Sequence, residues 1–441
     1  MSSVAQVSRA MQRILTIVAD EAAHATGFVQ RESKLGGAEF SQTLVFGWLH
    51  DPEATLEQMT QVASILGVTI TPQGLDQRFT PEGAACLRQV LEAGVREAIA
   101  ADPVAVPILR RFNGVYLQDS TTITLPDALA ELWEGCGGTT TAGTSAALKA
   151  QAQLNMSTGQ LLHLDLQAGR AQDRTAPMQT APLPRGALRI ADLGYFSVPV
   201  LSAYDQQGVF WLSRHHPQCL VYDAAGQRLD LVAFLRASGQ EVVDVPIQLS
   251  AEHRLPCRLA AARVPTAVAQ ERRRKAKAEA KREGRSLSLN QLALLDWTIM
   301  VTNVPPSLAT TGEMLVLMRF RWQIELLFKL WKSHGGVDES RSTKPYRVLC
   351  EVYAKLLAML VQHWILITGA WQYANHSLFK AANTVRQHTT TLAIALGRHD
   401  RLTEALDTIH RCPASGARIN TRKKSPNAYQ LLLRCSNYPL A

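Results

Sequence analysis

The stretch "NGVYLQDSTTITL", residues 113–125, is where the hydrophobic period of the chain changes. Apolar and polar residues alternate and β-branched residues dominate, which is the pattern of strands rather than helices. We read it as a strand, a turn and a second strand. It ends a long helical region and opens a series of strands, so the chain is expected to be α/β.

Upstream, residues 1–105 read as helical, over roughly 4–24, 38–49, 55–66, 72–79 and 81–101. "TLEQMTQVASILGVTITPQGLDQRF" offers a helix-turn-helix. There Ala63 faces the partner helix, Gly67 makes the turn, and the helix opened by Thr71-Pro72 carries Gln73, Gln77 and Arg78 as candidate DNA readers. The region has 7 Lys/Arg against 12 Asp/Glu, and any all-helical domain holds such helix pairs by chance.

Downstream, "GCGGTTTAGTS" reads as a loop, since it has neither the spacing nor the Lys of a phosphate-binding P-loop. "ALKAQAQLNMSTGQLLHLDLQAG" reads as a hairpin around Ser157-Thr158-Gly159. "LRIADLGYFS" is a short buried strand ending in Asp192, followed by a helix over 197–207. "GVFWLSRHH", "CLVYDA", "LPCRLAAARV" and "LLDWTIMVTNV" continue as strands. The run "ERRRKAKAEAKREGR" (271–285), with 8 Lys/Arg against 3 Asp/Glu, interrupts them as a basic helix. Its two readings are a solvated surface helix and a contact to DNA phosphates through Arg272, Arg273 and Arg274. Helices follow over 308–333, 344–371, 377–396 and 401–411, with a basic tail at 418–424.

The whole chain of 441 residues carries a net charge of +9. Residues 313–441 hold 18 Lys/Arg against 8 Asp/Glu, so the basic surface, and an anionic partner, belong to the C-terminal half. Seven scattered cysteines without C-x-x-C form no disulfide framework and imply reduced thiols in a cytoplasmic setting. The N-terminus lacks a signal-peptide layout. The apolar segment 355–371 is interrupted by Gln362 and His363 and is short for a membrane span, so a buried core helix is expected rather than a membrane contact.

Three carboxylates stand out. Asp119 follows "GVYLQ" and Asp192 follows "LRIA", both at ends of apolar strands. A carboxylate there is desolvated and costly unless a cation binds it. Glu325 lies in "RFRWQIELLFKLWKS" (319–333). On a continuous helix turning about 100° per residue, Arg321 falls at about −40°, Lys332 at about −20° and Lys329 at about +40° from it. These four make one charged stripe on a helix otherwise apolar. A solvated face with i,i+4 ion pairs explains the stripe in isolation. With Asp119 and Asp192 as partners, Glu325 instead completes an oxygen-ligand set suited to Mg²⁺, and Arg321 and Lys332 hold phosphates beside it. Asp165 and Asp173 are rival strand-end carboxylates, and Asp127 reads as a helix cap. The histidines lack zinc-site spacing.

"QDST" with Asp119, "IADLGYFS" with Asp192 and the stretch bearing Glu325 resemble, in order, the three acidic motifs of the DDE transposases of bacterial insertion sequences. The closest group carries a Tyr-x2-Arg-x3-Glu-x6-Lys signature. Arg321, Glu325 and Lys332 match it, and Met318 stands at the Tyr position. The resemblance covers about 111–335. It implies a ribonuclease-H-like catalytic core of mixed sheet and helices, interrupted by a mostly β insertion domain. The expected organisation is a helical N-terminal domain (1–105), the first part of the core (106–207), the insertion (208–304), the second part of the core (305–375) and a helical C-terminal region with a basic tail (376–441). It implies catalytic and metal-binding roles for Asp119, Asp192 and Glu325, two Mg²⁺ ions with Mn²⁺ as substitute, and base stacking for Trp297, whose other reading is packing in a β core. The implied activity is cut-and-paste transposition on double-stranded DNA ends and target, in a homodimer, through a hairpin intermediate in the related group. The alternatives are a catalytically silent, transposase-derived DNA-binding protein and a metal-dependent structure-specific nuclease.

Overall fold

The computed structural model describes residues 3–31, 34–104, 106–136, 145–371, 376–419 and 428–434. Most of the expected loop around 137–144 and of the basic tail, from residue 420, lies outside them. The N-terminal region forms α1 (Ser3–Gln12), a π-helical stretch (Arg13–Val18), α2 (Ala19–Ala25), α3 (Gly37–His50), α4 (Leu56–Ile65), α5 (Pro72–Asp76) and α6 (Pro81–Val95). Then come β1 (Val115–Leu125), β2 (Ala146–Asn155), β3 (Leu161–Ala168), β4 (Leu188–Ala191), α7 (Val198–Gln206), β5 (Phe210–Arg214), β6 (Val221–Tyr222), α8 (Leu231–Ala237), β7 (Val242–Leu249), β8 (Leu255–Arg263), α9 (Thr266–Arg282), α10 (Leu289–Leu294) and β9 (Trp297–Thr302). The C-terminal part holds α11 (Thr311–Phe320), α12 (Trp322–Ser333), α13 (Pro345–Ala370), α14 (Leu378–Gln387), α15 (Thr389–Ala395), α16 (His399–Gly416) and α17 (Ala428–Arg434). The protein is mixed α/β.

The chain divides into two compact units, each built from separate stretches. Unit 1 takes Met1–Val106, Asp119–Ala171 and Gln323–Pro426; unit 2 takes Pro107–Gln118, Gln172–Trp322 and Asn427–Ala441. This differs from the linear order of five regions expected from sequence.

Unit 1 is organised around α13. Its 26 residues carry the most apolar segment of the chain, and the window long and apolar enough to cross a membrane is entirely buried. Helices α3, α6, α14 and α16 pack on it. An apolar helix covered on all sides is a core helix, and its partners include the N-terminal helices, so residues 1–105 fold as part of this unit. The hairpin β2–β3 turns at Gly159, whose φ of +73° lies in the left-handed region that favours glycine. Strand order in this unit is β3-β2-β1.

In unit 2 the order is β1-β4-β5-β9-β8-β7-β6. β1, β4 and β5 are parallel, whereas β9 pairs antiparallel with both β5 and β8. The strands of 208–304 therefore extend the sheet that holds β4. Backbone pairing through β9 is continuous from β5 to β8. β7, "VVDVPIQL", and α8 were not anticipated.

Two expected elements differ in ways that bear on function. β1 is one unbroken strand of 11 residues, since nothing in "VYLQDSTTITL" supplies the Gly or Pro of a turn. Asp119 is thus its fifth residue, not its end. The expected helix 72–79 is only Pro72–Asp76, started by Thr71, which accepts a hydrogen bond from Gly74 N. Asp76 is tied to Lys344 (2.7 Å) and Arg347 (3.0 Å), and these cations hold its carboxyl below the usual range.

Candidate active site

The pairing of β1 with β4 sets the register of two of the carboxylates. Val115 lies against Leu188, and the last pair is Gln118 with Ala191. The next residue on each strand is Asp119 and Asp192 respectively. Asp192 leaves the sheet and opens a single 3-10 turn, Leu193–Tyr195, with its carboxylate 45% exposed. Asp119 stays in β1, half-buried, and its Oδ1 accepts a hydrogen bond from Ser120 N at 2.8 Å. By unit, Asp119 and Glu325 belong to unit 1 and Asp192 to unit 2.

Beneath these strand ends lies a buried polar network that sequence reading missed. Arg189 of β4 is 1% exposed. Its Nε donates to Gln118 Oε1 at 2.6 Å and its Nη2 to Gln179 Oε1. Gln118 Nε2 donates to Met178 O (3.2 Å), and Gln179 Nε2 donates to Arg174 O (3.0 Å) and Tyr195 O (3.2 Å). Both amides therefore turn their oxygens to the guanidinium and their N–H groups to backbone carbonyls, which satisfies every member. Burial pushes the Arg189 guanidinium down from its ordinary value. The signal in the sequence was a lone Arg inside "LRIA" and a Gln inside "VYLQ": buried strand positions that demand partners. Gly194 was also unread. A Cβ there would lie 2.9 Å from Asp173 Oδ2, so the rival carboxylate Asp173 is packed against the turn that follows Asp192. Burial raises the carboxyl of the other rival, Asp165 of β3.

The charged stripe is rearranged. The expected continuous helix 308–333 is two helices, α11 and α12, with Arg321 at their junction. Arg321 is therefore not on the face of α12, and its guanidinium stands 3.8 Å from Asp192 Oδ1. Glu325, Lys329 and Lys332 do share α12. Lys332 Nζ donates to Thr122 O of β1 at 2.8 Å and stands 3.7 Å from Asp338. Lys329 is exposed. Met318, at the signature Tyr position, is buried on α11.

The remaining candidates fall into two groups. Gln77 is exposed just past α5, whereas Arg78 turns inward, with its guanidinium carbon 4.2 Å from the centre of the Phe28 ring and burial lowering its pKa. Trp297 is half-buried as the first residue of β9. Arg272 fixes that strand start by donating to Trp297 O and Thr298 Oγ1, both at 3.0 Å. Arg273 donates to Leu292 O (3.3 Å) and pairs with Asp296, while Arg274 pairs with Glu271 at 2.7 Å. All three arginines thus have partners inside unit 2.

Residues 110–361 match the family model described as the transposase DDE domain. The chain belongs to that family. It is 25% identical to the transposase for insertion sequence element IS231F of Bacillus thuringiensis subsp. israelensis, over 78% of this chain and 76% of that protein. Identity to the IS231C transposase of Bacillus thuringiensis subsp. berliner is 26%, over 87% and 85%. The transposase for IS1151 of Clostridium perfringens is 22% identical over 78% and 76%. The chain is accordingly a DDE transposase of the bacterial insertion-sequence type. Among the described residues of this transposase, no three His, Cys, Asp or Glu side chains form a ready metal cluster, and six cysteines are free thiols.

Proposed function

We propose that this transposase binds the terminal inverted repeats of its insertion sequence and cuts and rejoins DNA there, with Asp119, Asp192 and Glu325 as the catalytic carboxylates. The observation that carries this is the register of β1 and β4, in which Asp119 and Asp192 each follow the last paired residue of neighbouring parallel strands. Two further contacts support it. Arg321, four residues before Glu325, reaches Asp192. Lys332, seven residues after Glu325, donates to the strand three residues past Asp119.

Carboxylate oxygens are hard donors, so Asp119, Asp192 and Glu325 are the side chains that would hold Mg²⁺, or Mn²⁺ in its place. When bound, two such ions would supply Lewis acidity and an activated water for in-line attack on a phosphodiester. The chain's own residues do the rest. The Gln118–Arg189–Gln179 network fixes the strands from which the two aspartates project, and Arg321 and Lys332 would meet phosphate oxygens. The mixed sheet with helices in both units supports a ribonuclease-H-like core. A homodimer holding two ends, and the passage through a hairpin end, belong to the same proposal. The buried Met318 leaves the contact made by the signature Tyr to another residue.

The test is cleavage of a duplex bearing the element's end in Mg²⁺. Asp119→Ala, Asp192→Ala and Glu325→Ala should each bring strand cleavage to background while end binding and melting temperature stay near those of the parent. A Glu325→Ala protein that still nicks the end would overturn the assignment. A parent that binds ends but never cuts would favour the silent DNA-binding protein.

A further inference from the structure

The basic helix α9 is not one surface but two. In its N-terminal half the cations are engaged: Arg272 with β9, Arg273 with Asp296, and Arg274 and Lys275 with Glu271. In its C-terminal half Lys277, Lys281 and Arg282 are exposed, and among the described residues they have no hydrogen-bond or ion-pair partner. Lys277 and Lys281 are four residues apart and project from one face. The helix is closed by Gly284 at φ +66°, with Gly284 N bonded to Lys281 O (3.3 Å) and Arg285 N to Ala280 O (2.9 Å). That glycine-dependent reversal brings Arg285 back beside α9. Lys277, Lys281 and Arg285 thereby rim an open cavity of about 370 Å³, whose other walls are Ala280, Ser286, Leu287 and Leu292.

We propose that this cleft, between the C-terminal end of α9 and α10, binds a phosphodiester of double-stranded DNA. The inference rests on the transposase reading above and assigns part of its DNA surface to residues other than those the arginine run suggested. Three cations converge on one open volume, whereas a helix C-terminus by itself repels anions. Glu283, which pairs with Arg285 at 2.5 Å, is the group a phosphate would displace. The apolar floor gives the sugar a surface to lie on. A purely structural role, with cations stabilising the helix C-terminus, predicts a changed melting temperature and no change in how salt affects DNA binding.

The experiment uses the full chain and fluorescence anisotropy with two duplexes, one bearing the element's end and one unrelated. Releasing one neutralised phosphate flattens the log–log salt dependence by about 0.9. For Lys277→Ala/Lys281→Ala, which removes the hold on that one phosphate, the slope should fall by about 0.9 on both duplexes, so that a fourfold rise in salt weakens the parent about 3.5-fold more than the variant. Arg274→Ala/Lys275→Ala, with the same charge change on the same helix, should keep the parent's slope. Equal flattening in the two variants, or an unchanged slope in Lys277→Ala/Lys281→Ala, overturns the cleft while leaving the transposase reading intact. A parent that binds neither duplex at about 50 mM salt overturns both. Should the alanine pair melt early, Lys277→Gln/Lys281→Gln carries the same expectation.

Discussion

Each unit contains a cation almost wholly shielded from water, and the two are satisfied by different means. Lys355, in α13 of unit 1, is 1% exposed and sits 2.8 Å from Glu351 one turn earlier. It also donates to Gly336 O (2.9 Å) and Glu339 O (2.8 Å), and Ser340 Oγ donates to Glu351 Oε2 at 2.7 Å. Its charge is cancelled locally, and the contact ties down the loop after α12. Arg189 in unit 2 meets two neutral amide oxygens and lies 5.3 Å from the Tyr204 ring. Its hydrogen bonds are met by groups that carry no charge. A buried pair completed by a carboxylate organises a loop, whereas a buried cation held by amides, three residues before Asp192, sits where acidic groups and metal are proposed to gather.

The largest effect should come from Arg189. Replacing it by Met orphans the oxygens of Gln118 and Gln179, at about 1–3 kcal/mol each, so about 2–6 kcal/mol in all. Denaturant unfolding read from a unit 2 tryptophan such as Trp211 checks this. A loss below about 1 kcal/mol would mean the amides find other donors, and the contrast with Lys355 would fail.

Next is Lys355→Met, which leaves Glu351 buried without its cation. A loss of about 3–5 kcal/mol is expected, with much of it recovered in Lys355→Met/Glu351→Leu because both charges then leave together. If the double variant is no more stable than the single one, the pair is not the self-contained unit described above.

The smallest of the three effects sharpens the comparison through a group kept neutral. His363 is fully buried in α13, its Nε2 lies 2.7 Å from Gly159 O, and burial lowers its pKa to about 4. The unfolded chain takes up that proton near pH 6.5, before the folded one does. Stability from this group is therefore complete above about pH 6.5 and is lost as pH falls toward 4, by roughly 3 kcal/mol. Urea unfolding of the parent and His363→Gln at several pH values checks it: the variant should be less stable at neutral pH but less acid-sensitive over that window. Equal slopes would remove His363 from the sources of acid lability.

Much of the fold was legible. Periodicity located the helices of unit 1 and the hairpin, and the apolar run of α13 was correctly expected to be core. The end of the strand before Asp192 was legible, because "LRIA" is a short, wholly buried apolar segment. What the local pattern does not show depends on neighbours distant in sequence. The break at Arg321 has no Pro or Gly to announce it, and the Arg thereby leaves the face it would share with Glu325. Arg78 looked like a DNA reader because its stacking on Phe28, 50 residues away, is invisible locally. The partners of Arg272 and Arg273, Trp297 and Asp296, come more than twenty residues later, so the run at 272–274 gave no local sign of them. For Arg78, Arg272, Arg273 and Arg321 the local pattern is silent on direction, because a tertiary partner sets it.

The division into interleaved units has a consequence for synthesis. α3 and α6 pack on α13, which begins about 250 residues after α6 ends. At about 5–20 residues per second, the apolar faces of the N-terminal helices wait on the order of 10–50 s for the helix that covers them. A message cut short anywhere before codon 370 leaves those faces bare, so an incomplete copy of the gene yields a chain destined for aggregation or proteolysis rather than a smaller working enzyme.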